Sequence, residues 1–201
     1  MFFETEANNH GLAHNPFKAL VAPRPIGWIS SRDEEGRVNL APYSFFNAVN
    51  TIPPIVMVAS VGRKDTLNNI EATREFVCNL ATYDLRHAVN ASSVPLPPGT
   101  SEFEAVGLEE APCRLVDVPR VAASPVALEC RYIQTIEVLA LGGERTGTLM
   151  AFGQVVGIHI DDAVIRNGRV DMGLLKPISR LGYMDFAVID EVFELERPQG
   201  G

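Results

Sequence analysis

Cysteine is scarce in this chain of 201 residues, which carries only Cys78, Cys113 and Cys130. The number is odd and no two stand at a C-x-x-C spacing, so neither a disulfide framework nor a local zinc or dithiol motif is encoded. Buried free thiols in a reducing, cytoplasmic compartment are expected instead. The four histidines, His10, His14, His87 and His159, form no i, i+4 pair and no H-E-x-x-H, so no local motif supplies a metal site. Positive charge is also short: 17 Lys and Arg against 25 Asp and Glu give a net charge of −8. That balance argues against nucleic acid as a partner, because phosphate backbones demand a basic footprint. No apolar run reaches the length needed to cross a bilayer, so no membrane span is expected. The first residues, MFFETEANNHG, lack a basic stretch and a small-residue cleavage site and are not expected to act as a secretory signal.

Several catalytic signatures are missing too. There is no G-x-G-x-x-G, so a nicotinamide cofactor would have to bind without a Rossmann unit. The GGERTG segment ending at Gly147 has the glycine spacing of a P-loop, but Thr148 stands where the lysine must be. It also lies between two strand patterns rather than before a helix, which excludes a nucleoside-triphosphate loop. No serine sits in a G-x-S-x-G elbow, leaving a hydrolase triad without local support.

What is present is an ordinary globular composition, 46% hydrophobic and 21% charged. It suits one domain over residues 1–201 with a core of useful size. Pro23 and Pro25 hold Ala22 and Arg24 extended, so the chain enters a strand here, closed by Ser30 and Ser31. Asp33 to Gly36 has the acid and glycine of a hairpin turn, and Val38 to Ala41 pairs back. Ile55 to Ala59 is a continuous apolar run, as in a strand covered on both faces. Lys64 to Glu75 is expected to be a helix with Asp65 or Thr66 as N-cap and a narrow stripe of Leu67 and Ile70. Phe76 to Ala81 returns as a strand. Residues 84–120 are irregular, with short helices expected at Leu85–Ala91 and Ser101–Gly107 around a loop forced by Pro95, Pro97, Pro98 and Gly99. Such an insertion suits a lid or a subunit contact. From Val126 the alternation is that of a half-buried strand with Glu129 and Arg131 on its polar face. Gly142–Gly147 is the hairpin tip, and Thr148 to Ile160 returns with Gly153 and Gly157 at bends or bulges. Asp161, Asp162 and Asp171 read as turn and cap residues. Tyr183 to Leu195 is the last strand expected. Strands in hairpins around one clear helix favour an all-β-dominated, closed antiparallel barrel with helical excursions.

Three features carry chemistry, each with a plainer alternative. Lys64-Asp65-Thr66 at a helix start is an anion site or a solvated cap. Ser30 and Ser31 offer hydroxyls to a ligand or close a turn. Trp28, Tyr43, Phe45 and Phe46 flank a ring or fill the core. His159, among apolar neighbours, is expected to be a satisfied structural histidine.

The order of these features resembles the flavin reductase-like, FMN-binding split-barrel family, especially its longer, flavoredoxin-type members. The resemblance is carried by the Ser-Ser strand end, Asn39-Leu40-Ala41-Pro42-Tyr43-Ser44, the Pro53-Pro54 strand, Lys64-Asp65-Thr66 with Asn69 and Ile70, and Glu75-Phe76-Val77-Cys78-Asn79-Leu80. It continues at Arg180-Leu181-Gly182-Tyr183 and at Arg197-Pro198. It implies an antiparallel Greek-key split β-barrel that forms a homodimer with one FMN, or FAD in its place, at each subunit interface. Ile29, Ser30 and Ser31 and the corner of Ala41, Pro42, Tyr43, Ser44, Phe45 and Asn47 are then expected along the ring and ribityl chain. Lys64 and Thr66, with Arg32, are expected at the phosphate. Asn39 and Asp65 lie in the same cradle, and Arg180 approaches from the C-terminal segment. NADH or NADPH is the implied co-substrate, and an oxygenase or another electron acceptor the implied partner. No side chain is expected to act as a catalytic acid or base.

Overall fold

The computed structural model describes residues 1–96 and 100–198. The loop expected at Pro97, Pro98 and Gly99, and the last residues Gln199, Gly200 and Gly201, lie outside the described residues. Seven antiparallel strands form the main sheet: β1 (Gly27–Arg32), β2 (Val38–Tyr43), β3 (Phe46–Thr51), β4 (Pro54–Val61), β5 (Glu75–Leu80), β6 (Val126–Leu139) and β7 (Arg145–Ile160). Their spatial order is β2-β1-β5-β6-β7-β4-β3. Helix α1 (Asp65–Thr73) carries the chain from β4 to β5, across two intervening strands.

The sheet curls around a single inner core. Ile29, Tyr43, Val56, Phe76, Cys130 and Ala151, drawn from six strands, pack together with Leu67 and Ile70 of α1. Strands far apart in sheet order, β2 and β4, thus share one hydrophobic interior, as a barrel requires. A second core lies outside β1 and β2, where Trp28 and Leu40 meet Val89 and Phe103 of the insertion and Val121 just after it. The insertion carries helices α2 (Arg86–Ala91) and α3 (Glu102–Ala105), close to the two short helices expected.

Several expectations are corrected. Helix α1 is shorter than Lys64–Glu75, and its N-cap is Lys64 in place of Asp65 or Thr66, with no side-chain cap; the Thr66 hydroxyl is engaged by Asn39. Its buried stripe is broader than Leu67 and Ile70, since Thr66 and Asn69 are buried as well. Arg74, at φ +66°, ends it in the left-handed region. Glu129 does not face water but is 1% exposed. The last strand shrinks to Phe186–Val188, paired with Ile178–Arg180. Beyond it Val192, Phe193 and Leu195 stand exposed, with no strand to pair with among the described residues.

The glycine bends in β7 are present, with register shifts at Phe152/Gly153 and Val155/Gly157. At Gly153 the sheet comes so close to Phe76 that an added Cβ would stand 2.3 Å from its ring. Phe76 is fully buried, so the ring has nowhere to swing. Gly153→Ala is expected to cost about 1–3 kcal/mol by overpacking. A urea midpoint equal to that of the parent would contradict this.

Candidate functional site

The β1–β2 hairpin, the corner that follows it and the first turn of α1 surround a cleft of about 1320 Å³. Its turn is built as the sequence suggests: Gly36 takes φ +86°, and the Asp33 carboxylate accepts from the Arg37 amide at 2.8 Å. Of the residues expected at a ligand, Arg32, Asn39, Ala41, Pro42, Tyr43, Ser44, Phe45, Lys64, Asp65 and Thr66 all line this one cleft. Residues some 30 positions apart are joined by a single cross-link, in which Asn39 Nδ2 donates to Thr66 Oγ1 at 2.9 Å.

The other expected residues lie elsewhere. Ile29 is fully buried in the inner core. Ser30 Oγ donates to the Pro119 carbonyl at 2.6 Å and accepts from Asn79, so this hydroxyl serves the fold. Ser31 is also fully buried and accepts from Asn69 Nδ2 at 3.2 Å. Asn47 lies exposed on edge strand β3, where its side chain accepts from the Ala48 amide. Arg180 reaches a different, neighbouring cavity.

Sequence reasoning passed over other residues of the cleft. Asn69 stands one turn after Thr66 on the same buried face of α1, a spacing of i, i+3 that marks a shared face. Glu102 accepts from the Leu40 amide at 2.8 Å and lines the cleft with Ser93 and Ser101; this fastening of the insertion to β2 has no local signature.

The cleft's electrostatics are divided. Asp33, Glu34, Glu35, Glu102, Glu104 and Glu110 line it, and Arg37 is already paired with Asp33 and Glu35. Lys64 and Arg32 line it too, and neither joins an ion pair among the described residues. Arg32 Nε is buried without a hydrogen-bond partner. Tyr43 is buried, which pushes its phenol above its ordinary pKa although the nearby Thr66 and Ser60 hydroxyls act to lower it. The cleft therefore offers an anion two cations without ion-pair partners among the described residues, and offers a flat, uncharged group the Ala41–Phe45 corner.

His159 is a satisfied structural histidine. Its Nε2 is 2.5 Å from Glu129 Oε1, and the same carboxylate accepts from the Arg114 and Leu115 amides at 2.9 and 2.6 Å. The Cys113 thiol lies in the same cluster, its pKa pushed up to about 12 by burial and then by the Glu129 charge. Asp161 and Asp171 are cap residues, accepting from Ala163 and from Gly173 and Leu174.

Residues 20–175 match the model of the flavin reductase like domain. The chain belongs to the flavin reductase-like family. Within it, an uncharacterised protein of Halalkalibacterium halodurans is 38% identical over 89% of this chain and 87% of its own. Among solved structures, nitrilotriacetate monooxygenase component B of Bacillus cereus is 32% identical, covering 93% of this chain and 100% of that one at a TM-score of 0.82. The 2-nitrobenzoate 2-nitroreductase of Pseudomonas fluorescens is 28% identical, covering 98% and 96% of the two chains at a TM-score of 0.85. The barrel is accordingly the antiparallel split barrel of the flavin reductase-like family. No helix among the described residues is long and apolar enough to cross a membrane.

Proposed function

We propose that this member of the flavin reductase-like family binds FMN in the large cleft and reduces it with NADH or NADPH, delivering reduced flavin or electrons to a partner oxygenase or another acceptor. The observation that supports the reading is that Lys64, Thr66 and Arg32 line one and the same cleft, which is roomy enough for a flavin. The donor set fits a phosphate. Among the described residues Lys64 is free of ion pairs, Arg32 Nε is a buried donor without a partner, and no side chain caps the first-turn amides of α1. Asn39 donates to Thr66 Oγ1 and so holds that hydroxyl on the cleft side of α1. FAD would need the same phosphate contacts and additional room.

When bound, flavin supplies the hydride chemistry, so the chain's task is to position and shield. The hairpin–helix cross-link fixes the distance between the corner and the phosphate end. The Ala41–Phe45 corner offers backbone and an aromatic edge to a flat ring. A water-poor cleft favours stacking of two planar reactants. A homodimer would cover the exposed outer edge of the barrel: β3 carries Val49 and leads to Ile52, both exposed, and the tail exposes Val192, Phe193 and Leu195. Nitrilotriacetate monooxygenase component B, by its name one part of an oxygenase system, supports an oxygenase partner here.

The test is an anaerobic absorbance scan of the purified protein. A flavin band that NADH or NADPH bleaches within minutes is the expected result; a colourless protein that gains no flavin from added FMN contradicts the reading. One feature favours a second reading, an FMN-binding electron carrier without nicotinamide activity: the chain has no dinucleotide fingerprint. That reading predicts a flavin band which dithionite bleaches and both nicotinamides leave unchanged.

A further inference from the structure

On the far side of the Pro42–Ser44 corner lies a second cavity of about 750 Å³. It shares Pro42, Ser44 and Ser93 with the large cleft, so the two spaces meet at the corner. Its charged lining has one sign. Arg86 and Arg180 reach it, His87 stands with them, and among the described residues no Asp or Glu lines it. The chain as a whole has an excess of acids, and the neighbouring cleft is rich in them. A lining without carboxylates therefore departs from both.

The two guanidinium groups are held in place. Arg86 Cζ lies 4.0 Å from the centre of the Tyr83 ring, and Arg180 Cζ lies 4.5 Å from that of Phe186. Arg86 Nη1 donates to the Tyr83 carbonyl at 2.6 Å, and Arg180 Nη2 to the Tyr183 carbonyl at 2.5 Å. Each contact uses one N–H of the fork and leaves others free, with the plane of the group set by the ring beneath. Neither arginine joins an ion pair among the described residues. The two come from distant parts of the chain, α2 of the insertion and the Ile178–Arg180 strand. Beside them Ile26, Ile178 and Val188 form an apolar wall.

We infer that this cavity binds a planar aromatic carboxylate, its ring against the apolar wall and its carboxylate held by Arg86 and Arg180. A guanidinium fork matches a carboxylate in shape and charge, and two of them select it over a neutral amide of the same outline. The inference rests on the flavin reading only for what the ligand meets at the corner; binding itself requires no flavin.

The probes are benzoate, benzamide and inorganic phosphate, titrated calorimetrically into the purified protein, with flavin content read from absorbance in the same samples. Benzoate is expected to bind at least tenfold tighter than benzamide, and phosphate not to displace it at equal concentration. The preference should fall below threefold in the Arg86→Gln/Arg180→Gln double variant, and be partly kept when both are replaced by lysine. FMN affinity should be the same in all of them. Equal affinity for benzoate and benzamide, a preference that survives in the double variant, displacement by phosphate, or no binding at all would overturn the inference. Because the titration also reads a flavin-free sample, a failure of FMN binding shows separately in the absorbance and does not mimic any of these results.

Discussion

Replacing Lys64 and Arg32 together by alanine should weaken FMN binding about a hundredfold, with each single change costing about tenfold. A hydrogen bond between charged partners contributes about 1.5–3 kcal/mol, and about 1.4 kcal/mol is a tenfold change in affinity. The lower end applies because Lys64 stands exposed at the mouth of the cleft. Fluorescence quenching of FMN on titration with flavin-free protein reads the change directly. The Lys64→Ala variant alone should unfold within about 0.5 kcal/mol of the parent, as expected of an exposed residue outside any packed contact. A variant that keeps full FMN affinity would place the phosphate elsewhere. A variant that loses stability as well would make Lys64 part of the fold and not of the site.

The largest stability effect should come from Glu129, far from the cleft. Its carboxylate is 1% exposed and holds the Arg114 and Leu115 amides and the His159 ring at once. Glu129→Ala strips three partners of their acceptor inside the protein and should cost about 3–5 kcal/mol, the range for breaking a buried pair from one side. The same group gives the protein an acid limit. Burial acts to raise its pKa, but the Arg114 amide, the His159 ring and the Leu115 amide together outweigh that and leave it below its ordinary value. A carboxylate depressed in the folded state contributes stability that is present above its unfolded pKa, about 4.3, and is lost as pH falls through the folded value. Urea midpoints should therefore drop from about pH 4 downward in the parent and drop less in Glu129→Gln, whose baseline is already lower. A parallel fall in both proteins would assign the acid limit to other carboxylates.

The sequence was most readable where local chemistry decides structure. The Asp33–Gly36 turn, the apolar run of β4 and the glycines that bend β7 each follow from the residues themselves, and each is found. The cleft was legible in outline for a similar reason. Asn39 and the Pro42–Phe45 corner lie on one strand and its end, Lys64–Thr66 open the helix two strands later, and all of them line one cleft. What could not be read depends on contacts between distant segments. Ser30 and Ser31 have the chemistry of ligand contacts, yet Pro119, Asn79 and Asn69 claim them first. Glu129 sits on the polar side of a half-buried pattern, and only the return of residues 114–115 over the sheet turns it into an interior charge. The tail from Val192 to Leu195 is rich in strand-forming residues but has no pairing neighbour among the described residues, and composition alone cannot supply one. Arg180 was expected at the cofactor from the resemblance at Arg180-Leu181-Gly182-Tyr183; the short strand that carries it places it in the neighbouring cavity instead.

On the proposed reading, the cleft recognises a flavin by its phosphate. A paired titration of flavin-free protein with FMN and with riboflavin, which lacks only that group, tests it most directly. FMN should bind at one per chain and about a hundredfold more tightly than riboflavin. Equal affinities for the two, or no quenching by either, would contradict it.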